Sequence, residues 1–301
     1  MRVLVTGGGG FLGGWVTKSL AAIDGVEVIA PSSKECNLLQ NSDLDNFLKN
    51  IEIVVHLAAI TGAENFHREN PERIYAKNIA MARNLFNSAR SAGVKKVVAA
   101  GSIMEYADNA PLPLREEFLD FGTPTKSHLA YGKAKREMRK MGQSIFSTPA
   151  TYVHLVFTNL FGPGQNPAAA FIPSAILKVA NAIKNNDLKI EMWGSGSASR
   201  DFLYVQDAAQ AVVKAVQGGA MISGPYNICS GVNRTIKESM LEIVNLMKYK
   251  GTISWDITKP EGSPGRTIDG TRAKKMLNFY PEDKFTEHLQ ACIDWYTSQH
   301  D

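Results

Sequence analysis

Nothing in the chain constrains its fold more than "RVLVTGGGGFLGG", residues 2 to 14. A β-branched run, "RVLVT" (2–6), leads into glycines, and these lead into the helical stretch "FLGGWVTKSLAAI" (11–23). Gly7, Gly10 and Gly13 stand in a G-x-x-G-x-x-G frame. Such glycines let the backbone turn tightly and approach a pyrophosphate, while the helix N-terminus offers free N–H groups and a positive dipole end. The strand–loop–helix context makes a dinucleotide the expected ligand, with Gly7, Gly10, Phe11, Leu12 and Gly13 as its contacts.

The first half continues in the same rhythm. "VEVIA" (26–30) and "IEIVVHLAA" (51–59) are the next strands, and residues 70–93 form a long helix with Pro71 near its start and Gly93 as its stop. "VKKVVAAGS" (94–102) is a strand, 128–143 a helix, and "TYVHLVFTNLFG" (151–162) one further strand into a Gly/Pro turn. Repeated βα units with near-continuous apolar strands predict an α/β fold, a doubly wound parallel sheet of the Rossmann type. After residue 160 the pattern loosens, and residues 200–217 and 224–231 read as one more helix and strand returning to the sheet. The expected division is a nucleotide-binding domain over 1–159 with 200–230, and a smaller α/β substrate lobe over 160–199 and 231–301. Open α/β sheets bind ligands beyond the carboxyl ends of their strands, where that lobe would sit.

Bulk properties narrow the class. The 301 residues carry 33 Lys and Arg against 29 Asp and Glu, a net +4 that suits an anionic substrate and is too small and dispersed for nucleic acid. The densest basic stretch, "KAKREMRK" (133–140), reads as a solvated helix face. Cys36, Cys229 and Cys292 fit no zinc or disulfide spacing, so buried reduced thiols and no metal are expected. "MRVLVTGG" reads at once as strand and turn, and no apolar run is long enough to span a membrane, so a cytoplasmic location without membrane attachment is expected.

The second strand bears on the cofactor. An acid there would hold the adenosine ribose hydroxyls of NAD. The chain has "APSSKE" instead, and Ser32, Ser33 and Lys34 could receive the 2′-phosphate of NADP, although Glu35 is close. NADP(H) is therefore expected ahead of NAD(H). Further along, "YGKAK" sets Tyr131 and Lys135 four apart on one helix face. An ammonium near a phenol stabilises phenolate, which lowers the phenol pKa toward neutrality and suits it to proton transfer. Ser102, at the carboxyl end of the fourth strand, lies where ligands are expected.

Together these motifs carry a resemblance. "TGGGGFLGG", "HLAA" (56–59), Asn78, "GSIMEY", "YGKAK", "TNLFGPG" (158–164), "WGSGSASRDFLYVQD" (193–207) and "YNICSG" occur in one order from end to end. The chain resembles the extended short-chain dehydrogenase/reductases that act on nucleotide sugars, the NAD-dependent epimerase/dehydratase family. "TNLFGPG", "WGSGSASRDF" and "KPEGSPGR" (259–266) look most like its GDP-L-fucose synthase branch. The resemblance implies Tyr131 as acid/base, Lys135 as its electrostatic partner and ribose ligand, and Ser102 as hydrogen-bond donor to the sugar oxygen. It implies Leu57, Ala58 and Ala59 at the cofactor, Asn78 as support for the helix and a water near Lys135, and Met104, Asn159, Lys178, Trp193, Arg200 and Lys259 toward the nucleotide sugar. Asp207 fits a structural place at a helix start. A homodimer through the long helices near 70–93 and 128–143 is also implied.

The neighbours of Ser102 then exclude chemistry. Dehydratases of the family place an Asp–Glu pair after the catalytic hydroxyl; here stand Ile103 and Met104, with Glu105 one position late and free to point away. Epimerising reductases use a cysteine and a histidine, whose positions correspond to Met104 and Ala170. His128 and His67 are the nearest substitutes, though structural roles suit both. What remains is ketone reduction at C4 without C3/C5 epimerisation, on a nucleotide-linked 4-keto(-6-deoxy) sugar, with GDP the expected nucleotide. A redox-neutral 4-epimerase, an epimerase-reductase and a non-catalytic NADP-binding regulator are the alternatives.

Overall fold

The computed structural model describes residues 1–219, 221–259 and 264–299. In chain order the strands are β1 (Arg2–Thr6), β2 (Glu27–Ile29), β3 (Ile53–His56), β4 (Lys96–Ser102), β5 (Thr151–Phe157), β6 (Asn159–Phe161), β7 (Lys189–Trp193), β8 (Ser199–Tyr204), β9 (Gly224–Ile228), β10 (Asn233–Thr235) and β11 (Thr252–Asp256). The helices are α1 (Phe11–Ala21), α2 (Asn41–Phe47), α3 (Glu64–Glu69), α4 (Pro71–Ser91), α5 (Leu129–Ile145), α6 (Phe171–Asn185), α7 (Val205–Gln217), α8 (Ile236–Leu246), α9 (Thr271–Leu277) and α10 (Phe285–Ser298).

Six strands form a parallel sheet in the order β2-β1-β3-β4-β5-β9. Side chains alternate across it, and both faces are dry. Val3, Val5, Val55, Val98 and Val153 meet α1 and α7 on one face. Leu4, Val54, Val97, Ala99 and Tyr152 meet Leu44 of α2, Leu85 and Phe86 of α4 and Met138 of α5 on the other. Burial on both sides is what near-continuous Val/Ile/Leu strands require. The register brings Thr6 opposite His56, His56 opposite Ala99, and Ser102 opposite Phe157, so the strand ends that carry loops lie along one carboxyl edge. The order reverses at β1, and the glycine loop follows that strand, at the place where such sheets bind nucleotides.

The remaining strands build two small sheets, β10-β8-β6 and β11-β7. They pack with α6, α8 and α10 around Phe161, Ile176, Phe202, Met240, Phe285 and Leu289. Two expectations change here. Residues 151–162 are two strands rather than one: after Phe157 the chain leaves the central sheet, and Asn159–Phe161 pairs with Phe202–Tyr204. The break is at Thr158, whose hydroxyl donates to buried Asp201 at 2.9 Å. Residues 200–204 are likewise strand β8 of the small sheet, as their aromatic and aliphatic content favours, and only α7 and β9 return to the central layers.

The basic stretch 133–140 also differs from its expectation of a solvated face. Lys135 and Arg139 are buried and only Lys133 and Lys140 are exposed, because α5 packs on α4 and on the turn after β4. Cys36, Cys229 and Cys292 are unpaired and buried. No described helix is long and apolar enough to cross a membrane.

Candidate active site

At the end of β1 the chain has no room for side chains. Gly7 takes φ +76°, and a Cβ there would lie 2.6 Å from the Ala58 nitrogen. A Cβ on Gly13 would lie 2.0 Å from the Gly7 carbonyl oxygen. The loop is thus pressed between α1 and the segment Leu57–Ala59 that follows β3. Gly9, in contrast, has nothing within 4 Å of where its Cβ would be. Helix α1 begins after Gly10 with no side-chain cap and no acid in its first turn, so the N–H groups of Phe11, Leu12 and Gly13 have no partner inside the helix. A cradle of bare N–H groups beside open space, with no carboxylate to repel phosphate, fits a dinucleotide pyrophosphate.

The expected 2′-phosphate residues lie beyond β2, and Ser32, Ser33 and Lys34 are all exposed there. Glu35 folds back on the same turn: the Ser32 N–H and hydroxyl both donate to its Oε2 at 2.8 Å. Those bonds hold the Glu35 carboxyl below its usual range. Ser32 is therefore engaged with a carboxylate, and Ser33 and Lys34 are the unengaged polar groups of the trio.

A candidate site is assembled around the turn Ile103–Glu105. Ser102 caps it: its Oγ accepts from the Met104 N–H at 3.2 Å, and the Glu105 carboxylate returns to the Ser102 N–H at 2.9 Å. Glu105 does not point outward as its late position allowed; it is wholly buried. Helix α5 fits against this turn at Gly132, where a Cβ would meet the Met104 oxygen at 2.3 Å and Pro124 Cβ at 2.7 Å. That contact seats Tyr131, the preceding residue, beside the Ser102 turn. One turn on, Lys135 is buried and donates to the Ala100 carbonyl of β4 at 2.6 Å. Its nitrogen lies 5.5 Å from the Tyr131 ring centre. Asn78 braces the opposite wall, accepting from the Ile60 N–H and donating to the Ile60 carbonyl, both at 2.9 Å.

Proton affinities depart from the sequence expectation. Burial, followed by the Glu105 charge, holds the Tyr131 phenol above its usual range rather than below it. Burial pushes Lys135 down to about 8, with Glu105 opposing. The ammonium is bonded to a backbone carbonyl, and burial and the Glu105 charge act in the direction opposite to the expected lowering. Of the two histidines, His67 lies 5.6 Å from Tyr131 and His128 lies 4.3 Å from His67, ring centre to ring centre. Burial, then the charge of His128, lowers His67 to about 4, and Thr61 Oγ1 pairs with its Nε2 at 3.0 Å.

A second opening of about 330 Å³ lies in the smaller lobe. Phe171, Lys178, Met192, Trp193 and Arg200 line it, so three of the expected substrate residues share one cavity. Trp193 is 66% exposed, with Lys259 Nζ over its ring 5.9 Å from the centre. Lys178 donates to the Glu191 carbonyl, and Asn159 donates to the Asp201 carbonyl at 3.2 Å. Met104 stays with the Ser102 turn, outside this cavity. Asp207 lies in the first turn of α7, after Tyr204 at the cap.

Sequence reasoning passed over Arg266. Half-buried, it reaches toward the carbonyls of Ile103 and Tyr106 at 3.5 Å and lies within electrostatic range of Arg200 and Asp108. It links the Ser102 turn to the second opening. The signal was the closing arginine of "KPEGSPGR", of which Pro260 to Ser263 lie outside the described residues.

The fold and this edge define a dinucleotide-dependent enzyme with a Ser, Tyr and Lys set at the carboxyl end of a parallel sheet. The model of the NAD dependent epimerase/dehydratase family matches residues 3–229, and the chain belongs to that family. GDP-L-colitose synthase of Yersinia pseudotuberculosis is 28% identical over 278 residues, covering 90% of each chain. A GDP-L-fucose synthetase from Naegleria fowleri superposes with a TM-score of 0.89 at 23% identity, over 99% of this chain and 94% of that one. The GDP-mannoheptose C4 reductase MlghC of Campylobacter jejuni, solved with NADP bound, gives 0.88 at 21% identity over 98% of both.

Proposed function

We propose that the protein reduces a GDP-linked 4-keto-6-deoxy sugar at C4 with NADPH, without epimerising C3 or C5. The observation that carries this reading is the Ser102 turn itself. Gly132 of α5 seats on that turn, so Tyr131 and Lys135 share its edge with Ser102, while Ile103 and Met104 bring no carboxyl or thiol and Glu105 is spent in the core.

Bound NADPH supplies the hydride. Ser102 Oγ holds the ketone oxygen by hydrogen bonding, and Tyr131, which keeps its proton at neutral pH, donates that proton as the oxygen gains charge. Lys135 places positive charge beside the phenol and replaces the lost proton's field. Gly7, Gly10, Phe11, Leu12 and Gly13 hold the pyrophosphate, with Leu57, Ala58, Ala59 and Asn78 forming the wall beside it. Ser33 and Lys34 receive the 2′-phosphate, joined by Ser32 once Glu35 releases it. Trp193 stacks on the nucleotide base, and Lys178, Arg200 and Arg266 take the diphosphate through charge-assisted hydrogen bonds. Asn159, Met104 and Lys259 complete the substrate's surroundings. GDP is favoured by the colitose synthase relative. The division proposed is a cofactor domain over 1–159 with 200–230, and a substrate lobe from the remainder, with β8 of the former pairing into the latter's sheet.

The groove of about 720 Å³ along α4 and α5, lined by Pro71, Tyr75, Pro124, Leu129 and Ala130, supports a homodimer through these helices. Three unpaired buried thiols suit a cytoplasmic location. The test of function is NADPH oxidation against GDP-, dTDP-, UDP- and CDP-linked 4-keto sugars; turnover confined to the GDP compound is expected, and none with any would refute the reading. Because His67 lies at Tyr131 with His128 beside it, reduction in deuterium oxide is the companion experiment, and deuterium at C3 or C5 would favour an epimerase-reductase.

A further inference from the structure

Beneath the Ser102 turn lies a buried charged network that the proposed reaction does not use. Glu105 is wholly buried, and its Oε1 both accepts the Ser102 N–H at 2.9 Å and pairs with His154 Nε2 at 2.9 Å. His154, also wholly buried on β5, pairs through Nδ1 with the Tyr152 hydroxyl at 3.1 Å. Arg139 of α5 stands 3.8 Å from Glu105 Oε2 and holds Asp120 at 2.8 Å, where Lys140 joins it at 3.1 Å. Arg136 Nε donates to the Glu105 carbonyl at 2.7 Å. Gly101 makes the approach possible, since a Cβ there would lie 2.3 Å from His154 Nε2 and 2.7 Å from Glu105 Oε1.

Packing alone does not explain a carboxylate at this place. An apolar residue would fill the volume without the desolvation that a buried charge costs. Although burial pushes the Glu105 carboxyl up, His154, the Ser102 N–H and Arg139 together bring it below its usual range, so it is ionised at neutral pH. That fixed negative charge acts on the two groups that frame the reacting edge, raising the proton affinity of both Tyr131 and Lys135.

We propose that Glu105 is a positioning residue for the reduction: it fixes the backbone at Ser102 so that the hydroxyl faces the substrate, and it sets a buried negative charge beneath the edge that carries Tyr131 and Lys135. The inference rests on the reductase reading. The groups facing Glu105 are His154 and Tyr152 from β5, Arg136 and Arg139 from α5, and Tyr106 from its own turn; Lys135 and His67 face Tyr131, and His56 of β3 acts on Lys135. Among them only Glu105 combines a negative charge with a direct bond to the Ser102 N–H.

Two substitutions separate the two effects. Glu105→Gln keeps an acceptor for the Ser102 N–H and removes the charge; Glu105→Asp keeps the charge and withdraws the acceptor by one methylene. With Glu105→Gln the alkaline limb of the kcat profile is expected to move down by about one pH unit, with protection of the Ser102 amide from hydrogen exchange retained. With Glu105→Asp the limb is expected to stay, while Ser102 amide exchange accelerates and kcat falls roughly tenfold at unchanged NADPH affinity. A limb that does not move in Glu105→Gln, or wild-type kcat and amide protection in Glu105→Asp, overturns the proposal. If Glu105→Gln does not fold, the Glu105→Asp arm alone decides. If the wild-type protein reduces no 4-keto sugar, the reductase reading fails. Amide exchange at Ser102 then still tests the positioning contact by itself.

Discussion

Gly132→Ala perturbs the seat of Tyr131 with a single methyl group. The added Cβ would stand 2.3 Å from the Met104 oxygen and 2.7 Å from Pro124 Cβ. A relaxed contact needs roughly 3.3 Å or more, so α5 and the Ser102 turn must part by about 1 Å. Neither wall is a flexible tip: one is backbone, tied to Ser102 Oγ through the Met104 N–H, and the other is a proline ring. Overpacking of this kind costs about 1–3 kcal/mol, and replacing a helical glycine by alanine returns about 1 kcal/mol. The net cost is therefore about 0–2 kcal/mol, a few degrees of melting temperature in a chain of this length. The catalytic cost is larger, because a displacement of about 1 Å at a reacting group lowers turnover on the order of 10²-fold. The assay pairs kcat for NADPH-dependent reduction with thermal melting and NADPH affinity. A folded Gly132→Ala protein that binds NADPH normally and retains wild-type kcat would refute the claim that this contact sets the distance between Ser102 and Tyr131.

Tyr131→Phe is expected to lower kcat by roughly 10² or more with NADPH affinity unchanged, read by turnover and cofactor fluorescence. Lys135 carries its proton below about 8 and loses it as pH rises through that value, so turnover should fall on the alkaline side from about pH 8 upward; a plateau unbroken to pH 10 would contradict its role. Arg200→Ala should raise KM for the nucleotide sugar roughly 10- to 100-fold, the worth of a hydrogen bond to a charged group, with little change in NADPH affinity; steady-state kinetics decide. Glu35→Gln removes a negative charge from the turn that holds Ser32 and should tighten NADPH binding a few-fold, the scale of an exposed charge, while leaving NADH affinity unchanged in parallel titrations.

Much of the fold was legible because it depends on local pattern. The glycine spacing, the continuous apolar strands and the punctuation at Pro71 and Gly93 specify βα units without reference to distant residues. The break after Phe157 was not legible: "TYVHLVFTNLFG" is uniformly strand-like, and only the tie from Thr158 to Asp201, 43 positions away, turns the chain into a second sheet. Arg139 was hidden for a similar reason. In a run of like charges nothing distinguishes the solvated members from the one that faces Glu105 and Asp120 until α5 is laid on its neighbours. Glu105 itself looked like a misplaced dehydratase acid, whereas a capping interaction with Ser102 three residues earlier turns it inward. Its register was readable as a Ser-x-x-Glu box; its burial was not. The phenol's proton affinity was misjudged because the Tyr131/Lys135 spacing shows neither the burial of Tyr131 nor the charge of Glu105, both of which raise it.

The most direct test of the account follows the hydrogen. The protein is incubated with a GDP-linked 4-keto-6-deoxy sugar and NADPH deuterated at the transferring position of its nicotinamide, and the product is examined by NMR. One deuterium at C4 per NADPH consumed, with none at C3 or C5, is the expected result. An unlabelled C4, or sugar interconversion without consumption of NADPH, would contradict it.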